Sequence, residues 1–160
     1  MGSTVLRAIS PSTPESGSLL MHVQWTPSAI GEAEFSSGLD LDTQTVRVSS
    51  GGLWTQADAE RSLVVHKRII REARLRFGSV KAMIDLRDVI RPTLESALWF
   101  QSTNSEIYRE DDRIAVVVKS SVFKIQLRKA LMVGTREAFL SMDAAEMWLQ
   151  AYSMMNGRVA

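Results

Sequence analysis

The chain has 160 residues, 45% hydrophobic and 23% charged, which is globular usage and excludes a largely disordered, collagen-like or fibrous protein. Nineteen Lys and Arg against eighteen Asp and Glu leave a net charge of +1, so no global field steers a partner. With no Cys, the chain offers no disulfide, thiolate nucleophile, iron-sulfur cluster or Cys-ligated zinc, and no apolar stretch approaches the ~20 residues of a transmembrane segment.

Residues 1–18 hold five Ser, two Thr, two Pro and two Gly, too little apolar surface to offset the entropy of ordering them. They are expected to form a flexible N-terminal arm ahead of one domain over 19–155. The arm has one Arg and no continuous apolar region of signal-peptide length, which fits a cytoplasmic protein. Leu19, Met21, Val23 and Trp25 alternate with Leu20, His22 and Gln24 and predict a strand. Ala33 to Ser37 and Thr43 to Val48 are the next two extended candidates, placed to form a hairpin before Gly51-Gly52 breaks the chain.

Thr55 and Asp58 have capping-box spacing, and Ala59, Leu63, His66, Ile70, Ala73 and Phe77 follow the helical period up to Gly78. Val80 to Leu86 (VKAMIDL) and Arg113 to Val118 (RIAVVV) are apolar runs expected of strands buried on both faces. Between them Pro92 suits a helix start, and Thr93 to Tyr108 reads as a second helix that frays over Gln101 to Ser105, where helix formers are scarce. Ser120 or Ser121 caps a third helix ending near Met132 and Gly134. Arg136 to Leu140 is a short strand, and Ser141 opens a last helix reaching Tyr152. The alternation predicts an α/β single domain whose mixed, mostly parallel sheet is covered by helices.

From the second strand on, the order β-β-α-β-α-β-α-β-α, behind one extra N-terminal strand, resembles the STAS superfamily. Residues 51–55 (GGLWT), 83–87 (MIDLR), 113–118 (RIAVVV) and 139–149 (FLSMDAAEMWL) are similar to the SpoIIAA-like branch of small bacterial proteins, itself likened to lipid-carrying CRAL-TRIO domains. The likeness covers roughly Phe35 to Tyr152 and leaves out Leu19 to Trp25. In the signalling members a phosphorylatable Ser sits in an Asp-Ser-Ser/Ala-Gly turn at the second helix. Here that window, Asp88 to Ser96, lacks the motif, and Thr93 is the hydroxyl at the expected cap.

Ligands of open α/β sheets gather beyond the carboxyl ends of the strands, which points to Asp85, Arg87, Lys119, Ser120 and Ser121. Lys119 with the hydroxyls and free amides of a helix start suits an anion, although Ser120 and Ser121 acting as caps beside a solvated Lys119 is the simpler reading. Asp85 and Asp88 have acid-base spacing, yet Arg87 and Arg91 beside them favour surface ion pairs over catalysis. His22 and His66 are the only imidazoles, too few and too far apart for a metal site, and no cofactor motif occurs. On the first helix Lys67, Arg71 and Arg74 share a stripe; without interleaved aromatics it reads as a solvated face, and no nucleic acid is expected. Leu94, Ala97, Leu98, Trp99, Phe100, Ile107 and Tyr108 make an apolar surface too wide for one sheet, so Trp99 or Phe100 lines a pocket, the surface meets a second subunit, or the helix tucks under the extra strand.

These residues lead to a non-enzymatic STAS-like interaction or regulatory module, with a homodimer and a protein partner expected. A carrier of small apolar or lipid-like ligands beside the second helix is the alternative.

Overall fold

The computed structural model describes residues 5–8, 19–26, 31–90, 102–131 and 135–156. Seven strands form one sheet in sequential order: β1 (Val5–Ala8), β2 (Leu19–Thr26), β3 (Glu34–Asp40), β4 (Thr45–Gly52), β5 (Lys81–Val89), β6 (Arg113–Val117) and β7 (Arg136–Phe139). The helices are α1 (Gln56–Phe77), a short stretch at 102–107 (α2), α3 (Ser121–Leu131) and α4 (Met142–Asn156).

Pairing is antiparallel from β1 to β4 and parallel from β4 to β7. The sheet is therefore mixed in equal halves rather than mostly parallel, because the N-terminal strands form a meander and only the later ones are joined through helices. VKAMIDL and RIAVVV are neighbours running the same way, with Ala82 opposite Ile114 and Ile84 opposite Val116. Parallel strands laid down in sequential order by crossovers of one hand place every connecting helix on the same face. Accordingly α1, α3 and Tyr108 bury Val46, Val48, Ala82, Ile84, Ile114 and Val116 on that face. The opposite side of Met83, Ala115 and Val117 is closed by Ala145 and Leu149 of α4. Covered on both sides, β5 and β6 need apolar residues in both alternation phases, which explains their unbroken runs.

The helix ends follow their sequence signals. Thr55 and Asp58 form a reciprocal capping box, and Gly78, at φ 81°, donates its amide to the Arg74 carbonyl at 2.9 Å. Ser120 rather than Ser121 caps α3, accepting from the Phe123 amide at 3.3 Å, and Ser141 does the same for Ala144 in α4.

Three further expectations are corrected. Val5–Ala8, inside the segment read as a loose arm, forms β1 through backbone pairing with β2, a long-range bond that local composition does not encode. Gly51 and Gly52 do not break the chain but extend β4 past Val48. Gly52 has φ 77°, and a Cβ there would stand 2.0 Å from the Glu32 carbonyl oxygen, so the strand passes this point only with glycine. Ser102 to Ser105 are helical despite their composition, with Asn104 buried and its carbonyl accepting from the Tyr108 amide at 2.9 Å. The expected start of the second helix at Pro92 and Thr93, and the stop at Gly134, lie outside the described residues.

Candidate functional site

At the carboxyl end of the parallel strands, Asp85 and Arg87 find each other. Arg87 donates from Nε and Nη2 to the Asp85 carboxylate at 3.0 and 2.9 Å, and its backbone amide adds a bond of 3.0 Å. That matches the surface ion pair read from the sequence and occupies the carboxylate. One strand over, Lys119, Ser120 and Ser121 are exposed, and the Ser120 hydroxyl is taken by the cap of α3. Asp85 is paired in register with Val117, so the two loops rise from adjacent strands. Thr93, Trp99 and Phe100 lie outside the described residues, and the carrier reading hangs on the last two.

A second place emerges on the helical face. Lys67, Ile70, Arg71, Arg74 and Leu75 project from one side of α1 at helical spacing and form one wall of a groove of about 540 Å³. Glu106, Ile107 and Arg109 form the other wall. Ile70 is buried and supplies the apolar floor, whereas Leu75 stands 76% exposed at the lip. The stripe expected to be a solvated face is thus one side of a cleft.

The charges in that cleft are unevenly matched. Arg74 is bound by Asp112 through two bonds of 3.0 and 2.7 Å, but Lys67, Arg71 and Arg109 have no ion pair among the described residues. Among the described residues Glu106 is the single carboxylate in the lining. A chain of net charge +1 therefore holds a local excess of positive charge beside apolar surface.

Two clasps set the width of the groove. His66 hydrogen-bonds through Nε2 to the Tyr108 hydroxyl at one end, and Arg74 pairs with Asp112 at the other; eight residues of helix, about 12 Å, separate them along α1. Asp112, fully buried, also accepts from the Val80 amide at 3.0 Å and the Arg109 amide at 2.8 Å. Burial alone raises a carboxylic pKa, but the Arg74 guanidinium and those two amides outweigh it and hold Asp112 below its ordinary value. Burial pushes His66 down to about 4 and Tyr108 upward, so both are neutral near pH 7. His66 Nδ1 is buried with no partner among the described residues.

On the other side of the sheet, Arg47 of β4 bridges Asp40 at 2.8 Å and Glu146 of α4 at 2.8 and 2.9 Å. This ties the last helix to the sheet. His22 bonds Ser36 at 2.9 Å, and no group of three or more potential metal ligands occurs among the described residues. No described helix is long and apolar enough to cross a membrane.

No family model, curated protein or solved structure matches the chain. Ile107 and Tyr108 belong to the wide apolar surface expected of the second helix, whereas Glu106, Arg109 and Asp112 were missed by sequence reasoning. The available signal was the acidic cluster at 110–112 immediately before a buried strand, where an acid next to a core run must find a cation.

Proposed function

We propose that the chain is a non-enzymatic interaction or regulatory module of STAS type that has no Asp-Ser-Ser/Ala-Gly phosphoserine turn and receives partners at the second helix and the strand-end loops. The observation that carries this reading is the groove between α1 and α2, where Lys67, Arg71 and Arg109, with no ion pair among the described residues, outnumber Glu106 around Ile70 and Leu75. Desolvating cations beside apolar surface is unfavourable in isolation and favourable against a complementary surface. The sequential parallel strands with connecting helices on one face support the kinship, and the mutual pairing of Asp85 and Arg87 supports a role without turnover. A second copy of the chain belongs to the same proposal.

The test is chemical cross-linking of the full chain in native cell extract, with cross-linked sites mapped by mass spectrometry and turnover assayed alongside. A stoichiometric protein complex with cross-links at Lys67, Lys119 or the residues around Arg109 is expected. Hydrolase or transferase turnover abolished by Asp85→Asn or Asp88→Asn overturns the reading. Sedimentation of the pure protein as a monomer throughout the micromolar range removes the homodimer.

A further inference from the structure

We propose that the groove between α1 and α2 binds an acidic, amphipathic helical segment of a partner protein. The proposal rests on the interaction-module reading and names the chemistry of what that module receives. Lys67 and Arg71 are one turn apart, about 6 Å along the axis, which is the spacing of two carboxylates at positions i and i+4 of a facing helix. Apolar side chains on the same stripe of that helix meet Ile70 on the floor and Leu75 at the lip, so charge and apolar contact are satisfied in one register. The clasps at His66–Tyr108 and Arg74–Asp112 fix the distance between the walls, which lowers the ordering cost of binding.

Other occupants fit less of the site. A bilayer surface is planar and does not reach recessed Ile70, whereas the cations and the floor belong to one concave lining. Among the described residues no aromatic side chain lines the groove to stack on bases, and phosphate contacts leave Ile70 and Leu75 unused. A fatty acid brings one carboxylate to three cations. A second copy offers Asp143 and Glu146 as an acidic pair on α4, but Glu146 is already bound by Arg47.

The experiment uses the full-length protein and a fluorescein-labelled peptide about four turns long, with Leu at helical spacing and Glu elsewhere, read by fluorescence anisotropy. Saturable binding is expected, weakened roughly tenfold by Lys67→Glu or Arg71→Glu, several-fold by Leu75→Ser, and steeply by added salt. The same peptide with Gln for Glu should bind at least about tenfold more weakly. Lys67, Arg71 and Leu75 are exposed, so the variants should melt as the parent does; if one does not, the other two decide. Absence of saturable binding, equal binding of the Gln peptide, or indifference to both charge reversals overturns the proposal. Tighter binding of phosphatidylserine vesicles, duplex DNA or oleate that is lost on Arg71→Glu also overturns it, and so does occupation of the groove by a second copy. If the peptide fails while cross-links persist at the strand-end loops, the groove is removed and the interaction module stands. Peptide binding alongside Asp85-dependent turnover does the reverse.

Discussion

His66 sets an acid limit on the fold. Its ordinary pKa of 6.5 falls to about 4 because protonation would bury a charge next to the neutral Tyr108 hydroxyl. The unfolded chain therefore takes up a proton near pH 6.5 that the folded chain refuses, and stability present above that value drains away as pH falls toward 4, by an amount on the order of 3 kcal/mol. His66→Gln keeps a hydrogen-bonding group for Tyr108 and does not titrate. Urea denaturation as a function of pH should lose its slope between about pH 6.5 and 4 in this variant, and a slope unchanged from the parent contradicts the assignment. Asp112 acts lower down: its carboxylate is held below the usual range, so its contribution is complete above pH 3.8 and disappears as pH falls beneath that value. Asp112→Ala leaves Arg74 and two amides without their acceptor. It should cost about 3–5 kcal/mol at neutral pH in the same measurement; a cost within about 1 kcal/mol would show the clasp to be dispensable.

Among the elements, the end of β4 is the most tightly specified. Gly52 combines φ 77° with a backbone oxygen 2.0 Å from where a Cβ would sit, and its own carbonyl accepts from the Ile90 amide at 2.9 Å. Gly52→Ala must push the Glu32 backbone away and should lower stability by more than about 2 kcal/mol, measured as a fall in melting temperature, whereas Gly78→Ala meets open space and pays only for its backbone angle. The same strand marks how far the sequence could be read. Runs such as 113–117, the capping box at Thr55 and the stop at Gly78 were legible because each is written within a few adjacent residues. Gly51-Gly52 was misread as a break because local chemistry cannot say that a neighbouring backbone will pass within touching distance. The short β1 was invisible for a related reason, since its bonds are made to residues some 18 positions away in the chain. The groove was half legible. The stripe of Lys67, Arg71 and Arg74 is plain in the sequence, but which cation is neutralised depends on Asp112, placed by the fold and not by spacing.

At the scale of the whole molecule the cover is asymmetric, and this orders the local stabilities. β5 and β6 have a strand on each side and helices on both faces: α1 and α3 with Tyr108 above, α4 below. α4 is fastened by Ala145 and Leu149 in the core, by Glu146 on Arg47, and by Trp148, over whose ring the Arg113 guanidinium sits at 3.7 Å. The far edge is different, because β1 is four residues long and pairs with β2 alone. Opening β1 breaks one ladder, while opening β5 or β6 breaks two and exposes Met83, Ile114, Val116 and Val117 together, which amounts to global unfolding. Amide hydrogen exchange should therefore find the amides of 82–84 and 114–117 exchanging only at the global rate, with those of 5–8 faster by at least about a hundredfold. The slowest amides should also follow the melting loss of Asp112→Ala one for one, because Asp112 accepts from the Val80 amide at the entry to β5 and is itself followed directly by β6. Protection of β1 equal to that of β6 would mean that the edge strand is bound into the global unit, and the hierarchy drawn from its single neighbour would be wrong.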